Sequence, residues 1–469
     1  MAERPSHHGD PGPASGGAPP PDLPDLLKSG APAVALRLVS VVFITLSTIL
    51  FSRLLGVTDY GRYAFAAGLI QFGLFFAQLA VPVLVVRNVA QWRLSGDWGL
   101  IRALMRFAVL LAVVSVGLWA TLLFTAHTLS TAFQDRITPL ALALVLATIF
   151  IIVLGNGRAA AIRALGRPAL GLVPTMGIRP VAVVGLALVV VLLAPTLMDS
   201  PEEALMARFG GALAGLILAF VLMRRRLPRP LPPRAPMQAR DWSLALLPFA
   251  LTAGANAVNL HADGVMVGFL SSPAETGFFR IGFQLSTFVL MVQEALNMVI
   301  QPSIAMLHRA GDLAGAQALI RRQSRIVTLA AIGFFALYLA ANRDLISLLY
   351  GDAFLAAAPV LTVLAAGKLA NALTGPCGLV LNMTGHERVT LAATALAALG
   401  NVALNAVLIP PLGAWGAALA TLFAMVAVHG SMMIMVRRRT GLVTSWALAP
   451  LVRRIPGPPR PTGGTQEDA

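Results

Sequence analysis

The sequence predicts an all-α integral membrane protein: twelve transmembrane helices in two six-helix bundles. Three observations predict it: extreme apolarity, a succession of apolar runs near membrane-spanning length, and a one-sided distribution of arginine. Hydrophobic residues make up 57% of the 469, charged residues only 12%, and the mean hydropathy is +0.79. A soluble protein carries about 25% charge, so these greasy faces are expected to meet lipid. The net charge of +15 would suggest a nucleic-acid partner in a soluble chain. Here no basic stretch is interleaved with aromatics for base stacking, and arginine clusters between spans set topology instead. The single cysteine, Cys377, lies in an apolar run. It permits neither a disulfide framework nor a thiolate metal site and reads as packing. No cofactor or metal motif is present.

Residues 1–31 are rich in Pro, Gly, Ser and Ala and read as a disordered cytoplasmic tail. They lack the basic region and cleavage site of a signal peptide. Apolar runs near the ~20 residues needed to span then follow at 32–54, 63–86, 103–126, 138–157, 169–194 and 204–223. A second set follows at 243–270, 278–303, 325–348, 357–382, 388–409 and 412–436. The domains are therefore a first bundle over 32–223, a basic Pro-rich linker over 224–241, and a second bundle over 242–436. A cytoplasmic tail over 437–469 closes the chain. Proline cannot continue a helix, so the linker reads as an extended, semi-rigid spacer. Within the tail, 442–452 is too short to span and fits an interfacial segment.

Topology follows from the cations. The connections after every second span, with the linker and the C-terminal flank, carry 24 arginines; the opposite side and its span ends carry six. By the positive-inside rule, both termini and the linker are cytoplasmic, in an inner membrane.

The halves repeat one another. Tyr60-Gly61-Arg62-Tyr63 opens span 2, and Thr276-Gly277-Phe278-Phe279 opens span 8. Gly166 joins spans 4 and 5, and Gly385 joins spans 10 and 11. Each half has an even number of spans, so both share one orientation. They are expected to be related by a pseudo-two-fold axis along the membrane normal.

Polar residues form stripes within the spans. Thr252, Asn256, Asn259 and Asp263 share one face of span 7 at 100° per residue. Arg280, Gln284, Thr287, Glu294, Asn297 and Gln301 form a broad face on span 8. Lys368 and Asn371 sit on span 10, Arg37, Ser40 and Thr48 on span 1, and Gln71 and Gln78 on span 2. A charge at the bilayer centre costs at least ~2.5–3.5 kcal/mol, so such groups face protein or water. The stripes predict a hydrated cavity lined by spans 1, 2, 7 and 8. Arg37 and Arg280 lie near span ends and could instead snorkel to the interface. Arg158 and Arg163, at the end of span 4, read as snorkelling too. Asn401 and Asn405 on span 11 read as glue between helices.

The Gly-His turn at Gly385, the Asn401-x-x-x-Asn405 pair and LIPPLGAWGAALAT ending at Thr421 resemble the lipid-linked oligosaccharide flippases of the multidrug/oligosaccharidyl-lipid/polysaccharide exporter superfamily. LLGVTDYGRYAFA, ADGVMVGFLSSPAETGFF and LISLLYGDAFLAAAPVL look like further segments of that family, in the family's order. The resemblance covers roughly 32–436 and puts Asp263 at the family's usual acidic position. It implies alternating access around a cationic cavity and a polyprenyl-diphosphate-linked glycan as substrate, for surface or exopolysaccharide synthesis. A polymerase and export machinery would be further partners, with no nucleic acid. Twelve spans argue against the fourteen-span peptidoglycan-precursor branch.

Arg or Lys in a low-dielectric cavity suits a diphosphate, which assigns Arg37, Arg280 and Lys368 to substrate. Asp263 and Glu294 are candidates for ion coupling. Gln71, Gln78, Asn256, Asn259, Gln284 and Asn371 are candidates for cavity lining. The runner-up is a cation-coupled drug antiporter of the same superfamily, which would want more buried acids. A membrane glycosyltransferase or polymerase would want catalytic groups on large outer loops, and the outer connections are short. The chain is thus expected not to be an enzyme.

Overall fold

The computed structural model describes residues 23–194, 199–228, 233 and 235–457. Most of the expected N-terminal tail, the last twelve residues, and 229–232 and 234 of the linker lie outside the described residues. So do the side chains of residues 23–30 and of Thr252. The described residues contain no strand.

Span 1 and most of span 2 form one long helix, α1 (Leu23–Gln78), bent where Gly56 takes φ 68°. It begins nine residues before the expected span, so the end of the presumed tail is helical. Span 2 breaks at Leu79 and Ala80, both with positive φ, and resumes as α2 (Val81–Ser95). Then come α3 (Trp98–Leu129), a single turn α4 (Thr131–Gln134) and α5 (Pro139–Ala164). Span 5 is α6 (Pro168–Leu172), a π turn (Val173–Ile178) and α7 (Arg179–Leu193). Span 6 is α8 (Pro201–Arg224).

The second half opens with α9 (Ala239–Leu270). Span 8 is split at Thr287 into α10 (Pro273–Ser286) and α11 (Phe288–Arg309). Then α12 (Leu313–Tyr350) starts twelve residues before the expected span. Span 10 is split at Gly375 into α13 (Ala357–Thr374) and α14 (Cys377–Met383). Spans 11 and 12 form α15 (Glu387–Thr440), bent at Gly413 with φ 57°, and α16 (Ala449–Val452) follows. Up to ten of these helices, counting α9 as one bent span, are long and apolar enough to cross a membrane. Two of the ten, of 48 and 54 residues, are each long enough for two spans and break at Gly56 and Gly413. Counted at those breaks, the ten become the expected twelve.

Helix starts follow local chemistry. Thr138, Ser200 and Ser272 each precede a proline at the first helical position, and each caps the helix it opens. A hydroxyl there satisfies a free N–H, and proline has none to lose. At Ser200 the box is reciprocal, with Glu203 accepting from the Ser200 N–H at 3.1 Å.

The repeat is visible in backbone conformation. Gly166 and Gly385, the matched joints, have φ of 83° and 80°, the left-handed region that glycine occupies without strain. The other matched pair meets across the two halves. A Cβ on Gly277 would lie 3.6 Å from the Gly61 Cα, and one on Gly61 would lie 1.8 Å from the Pro273 carbonyl oxygen. Such backbone approach is what small residues permit between membrane helices. Around it Phe51, Tyr60, Tyr63, Tyr350 and Phe354 are buried in one cluster joining both bundles, so the halves are sealed at their ends away from the linker.

Two segments outside the spans are docked. Leu227 and Ala235 of the linker pack on the first bundle with Trp92, Trp98 and Trp242. The described part of the linker is therefore held against the bundle and is no free spacer. The expected interfacial segment at 442–452 is also different. Residues 442–445 are buried, and Gln317 holds the Val443 backbone by two bonds of 2.8 Å. Thr444 Oγ1 donates to the Thr374 carbonyl at 2.8 Å and Ser445 Oγ to the Leu373 carbonyl at 2.6 Å. The strap thus satisfies carbonyls left over where span 10 breaks.

Gly61→Leu should unseal this joint, because backbone atoms of Pro273 block its Cβ. Overpacking of this kind costs about 1–3 kcal/mol and should lower the thermal midpoint of the purified protein. Gly117→Leu, where an added Cβ meets nothing within 4 Å, should leave it unchanged. Equal midpoints for the two variants would show that the glycine contact does not close the halves.

Candidate functional site

Beside the joint between the halves lie two polar cavities of different chemistry. The first, about 100 Å³, is in the first bundle and is lined by Arg179, Arg208 and Arg280 with hydroxyls of Ser40, Ser47, Thr48, Tyr60, Tyr63 and Thr175. Gln71 lines it too. Each arginine arrives by a distinct local device. Arg179 opens α7 directly after the π turn. Arg208 lies one turn before Gly211, and a Cβ on Gly211 or Gly215 would sit 2.8 Å from the carbonyls of Arg179 or Pro174. This Gly-x-x-x-Gly pair lets α8 lie against the backbone of span 5. Arg280 belongs to α10 and reaches across from the second half. No carboxylate lines this cavity, and none of the three arginines forms an ion pair among the described residues. The Arg208 Nε is buried without a partner.

The second cavity, about 300 Å³, is in the second bundle and is rich in amides: Asn256, Asn259, Gln293, Asn297, Asn371 and Asn401. Lys368, Glu294, His429, Thr394 and Thr421 complete its polar lining. Lys368 is 6% exposed, with Nζ 5.2 Å from the Phe283 ring centroid. Gln293 Nε2 donates to Asn371 Oδ1 at 3.3 Å, and Gln323 Nε2 to Asn297 Oδ1 at 3.2 Å. Asn259 Nδ2 donates to the Thr394 carbonyl at 2.8 Å.

Behind this cavity Asp263 is 2% exposed. It accepts from Asn405 Nδ2 at 2.6 Å and from Thr421 Oγ1 at 2.7 Å, and Asn405 Nδ2 also reaches Asn401 Oδ1 at 2.8 Å. Asn401 and Asn405 thus do tie spans 7 and 11 together, but through the carboxylate. The Asn405 Oδ1 is buried without a partner.

The residues expected to hold substrate fall on both cavities. Arg280 lines the first and Lys368 the second. Arg37 Nη2 donates to Glu294 Oε2 at 2.5 Å, an ion pair that joins span 1 to span 8 at the edge of the second cavity. Asn256, Asn259 and Asn371 line the second cavity and Gln71 the first. Gln284 is buried and donates to Thr45 Oγ1 at 3.1 Å, so it ties span 8 to span 1 without lining either cavity. Gln78 ends α1 beside the span 2 break and lines neither. Sequence reasoning missed Arg179 and Arg208. A signal existed for Arg179, an isolated charge inside span 5 followed by Pro180.

Apolar helices in two bundles, several of them broken beside polar cavities, have the architecture of a multi-pass membrane transporter. The chain belongs to the polysaccharide biosynthesis protein family, whose sequence profile matches residues 26–308. The fold is shared with solved structures of low sequence identity. An inward-facing multidrug resistance MATE transporter of the MOP superfamily superposes with a TM-score of 0.67 at 13% identity, over 86% of this chain and 97% of that one. A MOP superfamily transporter from Pyrococcus furiosus gives 0.61 at 12% identity, over 88% and 95%. The lipid II flippase MurJ gives 0.57 at 11% identity, over 86% and 87%. No curated protein matches the sequence.

Proposed function

We propose that the protein flips a polyprenyl-diphosphate-linked oligosaccharide from the cytoplasmic to the outer leaflet by alternating access, for surface or exopolysaccharide synthesis. The observation that carries this reading is the first cavity: three guanidinium groups with no carboxylate among the lining residues. Unneutralised arginines inside a membrane call for an anionic ligand, and a diphosphate accepts their paired N–H groups well. Each such contact contributes about 1.5–3 kcal/mol. The same cavity disfavours the drug-antiporter reading, since it repels organic cations. In the second cavity each amide offers both donors and an acceptor, which suits sugar hydroxyls, with Lys368 adding charge. The prenyl chain stays in lipid, passing between the halves. The sealed joint, on the outer side in this reading, corresponds to the inward-facing stage of the cycle. A polymerase and export machinery would take the glycan onward.

Deleting the gene should make a lipid-linked glycan accumulate in the cytoplasmic leaflet. Restoring it as Arg179→Ala, Arg208→Ala or Arg280→Ala should leave flipping roughly ten- to hundred-fold down, since ~1.4 kcal/mol is a factor of ten. Arg280→Lys should recover part, keeping charge but not bidentate geometry, and exposed Arg226→Ala should behave as wild type. Wild-type export by all three alanine variants at normal membrane levels would remove the diphosphate site.

Coupling is assigned to Asp263 and Glu294. Asp263→Asn and Glu294→Gln should blunt flipping driven by an ion gradient in proteoliposomes while leaving gradient-independent exchange. If both variants keep full gradient dependence, coupling lies elsewhere.

In this reading both termini and the linker lie on the cytoplasmic side of an inner membrane, which the arginine distribution supports. In intact cells a cysteine at exposed Arg226 should resist an impermeant thiol reagent, and one at exposed Asp199 should label. The reverse pattern would invert the sidedness of transport.

A further inference from the structure

A third cavity, about 150 Å³, lies in the first bundle at its linker end, apart from both polar cavities. It is formed between α3, α5, α8 and Leu227. Its lining is apolar except for Arg158 and Arg224, and it holds no amide or hydroxyl side chain to receive a sugar. A Cβ on Gly157, which lines it, would meet nothing within 4 Å. The trough is therefore open where α5 faces it.

The two arginines are unusual in their setting. Arg158 does not extend toward the membrane surface as a snorkelling side chain would. Its Nη1 donates back to the Leu154 carbonyl at 2.9 Å, one helical turn deeper in the span. Its guanidinium carbon lies 5.8 Å from the Phe220 ring centroid, and that of Arg224 lies 5.5 Å from the same ring. Two cations thus share one aromatic ring, and neither forms an ion pair among the described residues. Beside them α8 presents Ile217, Phe220 and Val221 exposed, so the mouth opens among side chains suited to lipid.

We propose that this cavity binds an anionic phospholipid of the adjacent leaflet. The lipid phosphate sits between Arg158 and Arg224, and an acyl chain lies in the trough past Gly157, along Met105, Val109 and Val153. A soluble anion would gain nothing from the apolar wall, and a neutral lipid would leave both charges unmet. The cytoplasmic leaflet, where basic clusters hold anionic head groups, is the one to which the arginine distribution assigns this end. The proposal is independent of the transported substrate.

The test is lipid retention by the full-length protein in native mass spectrometry, after titration with phosphatidylglycerol or phosphatidylcholine. Phosphatidylglycerol should be retained preferentially. Arg158→Gln with Arg224→Gln should reduce its retention about ten-fold or more, the worth of one charge-assisted contact. Gly157→Leu should fill the trough and reduce retention similarly with both charges intact. Thermal midpoints would identify any variant that fails to fold, and the double glutamine variant and Gly157→Leu are read separately. Equal retention of the two lipids by the unaltered protein would overturn the proposal, as would no loss in the folded variants. Displacement of phosphatidylglycerol by stoichiometric undecaprenyl phosphate would overturn it too, by making the trough a substrate site.

Discussion

A charge within the span of a bilayer must be met by protein, water or ligand, because lipid offers it nothing. Ionisable groups within the spans of this protein meet that constraint in different ways. Asp263 is met by protein, with Asn405 and Thr421 donating to its two oxygens. Glu294 and Arg37 meet each other across the halves. Arg179, Arg208 and Arg280 are met by no acid and face a cavity. The first arrangement is complete in the resting protein; the last is incomplete until something anionic arrives. That contrast separates charges already met within the resting protein from charges that await a ligand, although both lie in apolar helices.

The same constraint explains where the helices break. Interrupted backbone inside a membrane is tolerated where it is covered by protein or lines a polar space. Spans 2, 5, 8 and 10 are interrupted, and spans 5, 8 and 10 supply Thr175, Arg179, Arg280, Glu294, Lys368 and Asn371 to the cavities. The π turn in span 5 shifts the helix register immediately before Arg179, as π bulges often do at functional sites. At span 10 the freed carbonyls are taken by Thr444 and Ser445 from the C-terminal strap. Breaks and charges thus occur together because the same polar or protein-covered surroundings relieve both.

Much of this was legible beforehand, and the limits have physical causes. Hydropathy found the all-helical, multi-pass architecture, with a span count compatible with the helices described, because burial in lipid is a property of composition along a window. The matched glycines exposed the repeat, because positive φ and close helix approach both need a missing Cβ. Stripe reasoning found Asn256, Asn259, Asp263, Lys368 and Asn371, which lie on the inner faces of their helices. It could not assign Arg280 to the first cavity. Its face was readable, but its neighbour is a different bundle, and that depends on the Gly61–Gly277 approach. Arg179 escaped for a related reason: its stripe holds only one further polar residue, Thr175, and its orientation is set by the π turn that precedes it. The docking of 442–445 was hidden because its partners are backbone carbonyls freed by the break at Gly375, and a hydropathy profile carries no trace of them.

The strap also bears on how the chain is made. Its residues leave the ribosome some seventy positions after the span 10 carbonyls that they satisfy. The carbonyls of Leu373 and Thr374 therefore wait for the strap until both halves of α15 have been made. Biogenesis thus has an order written into it: the break in span 10 is closed only after spans 11 and 12 have followed it. A chain interrupted inside α15 would leave that break without its strap.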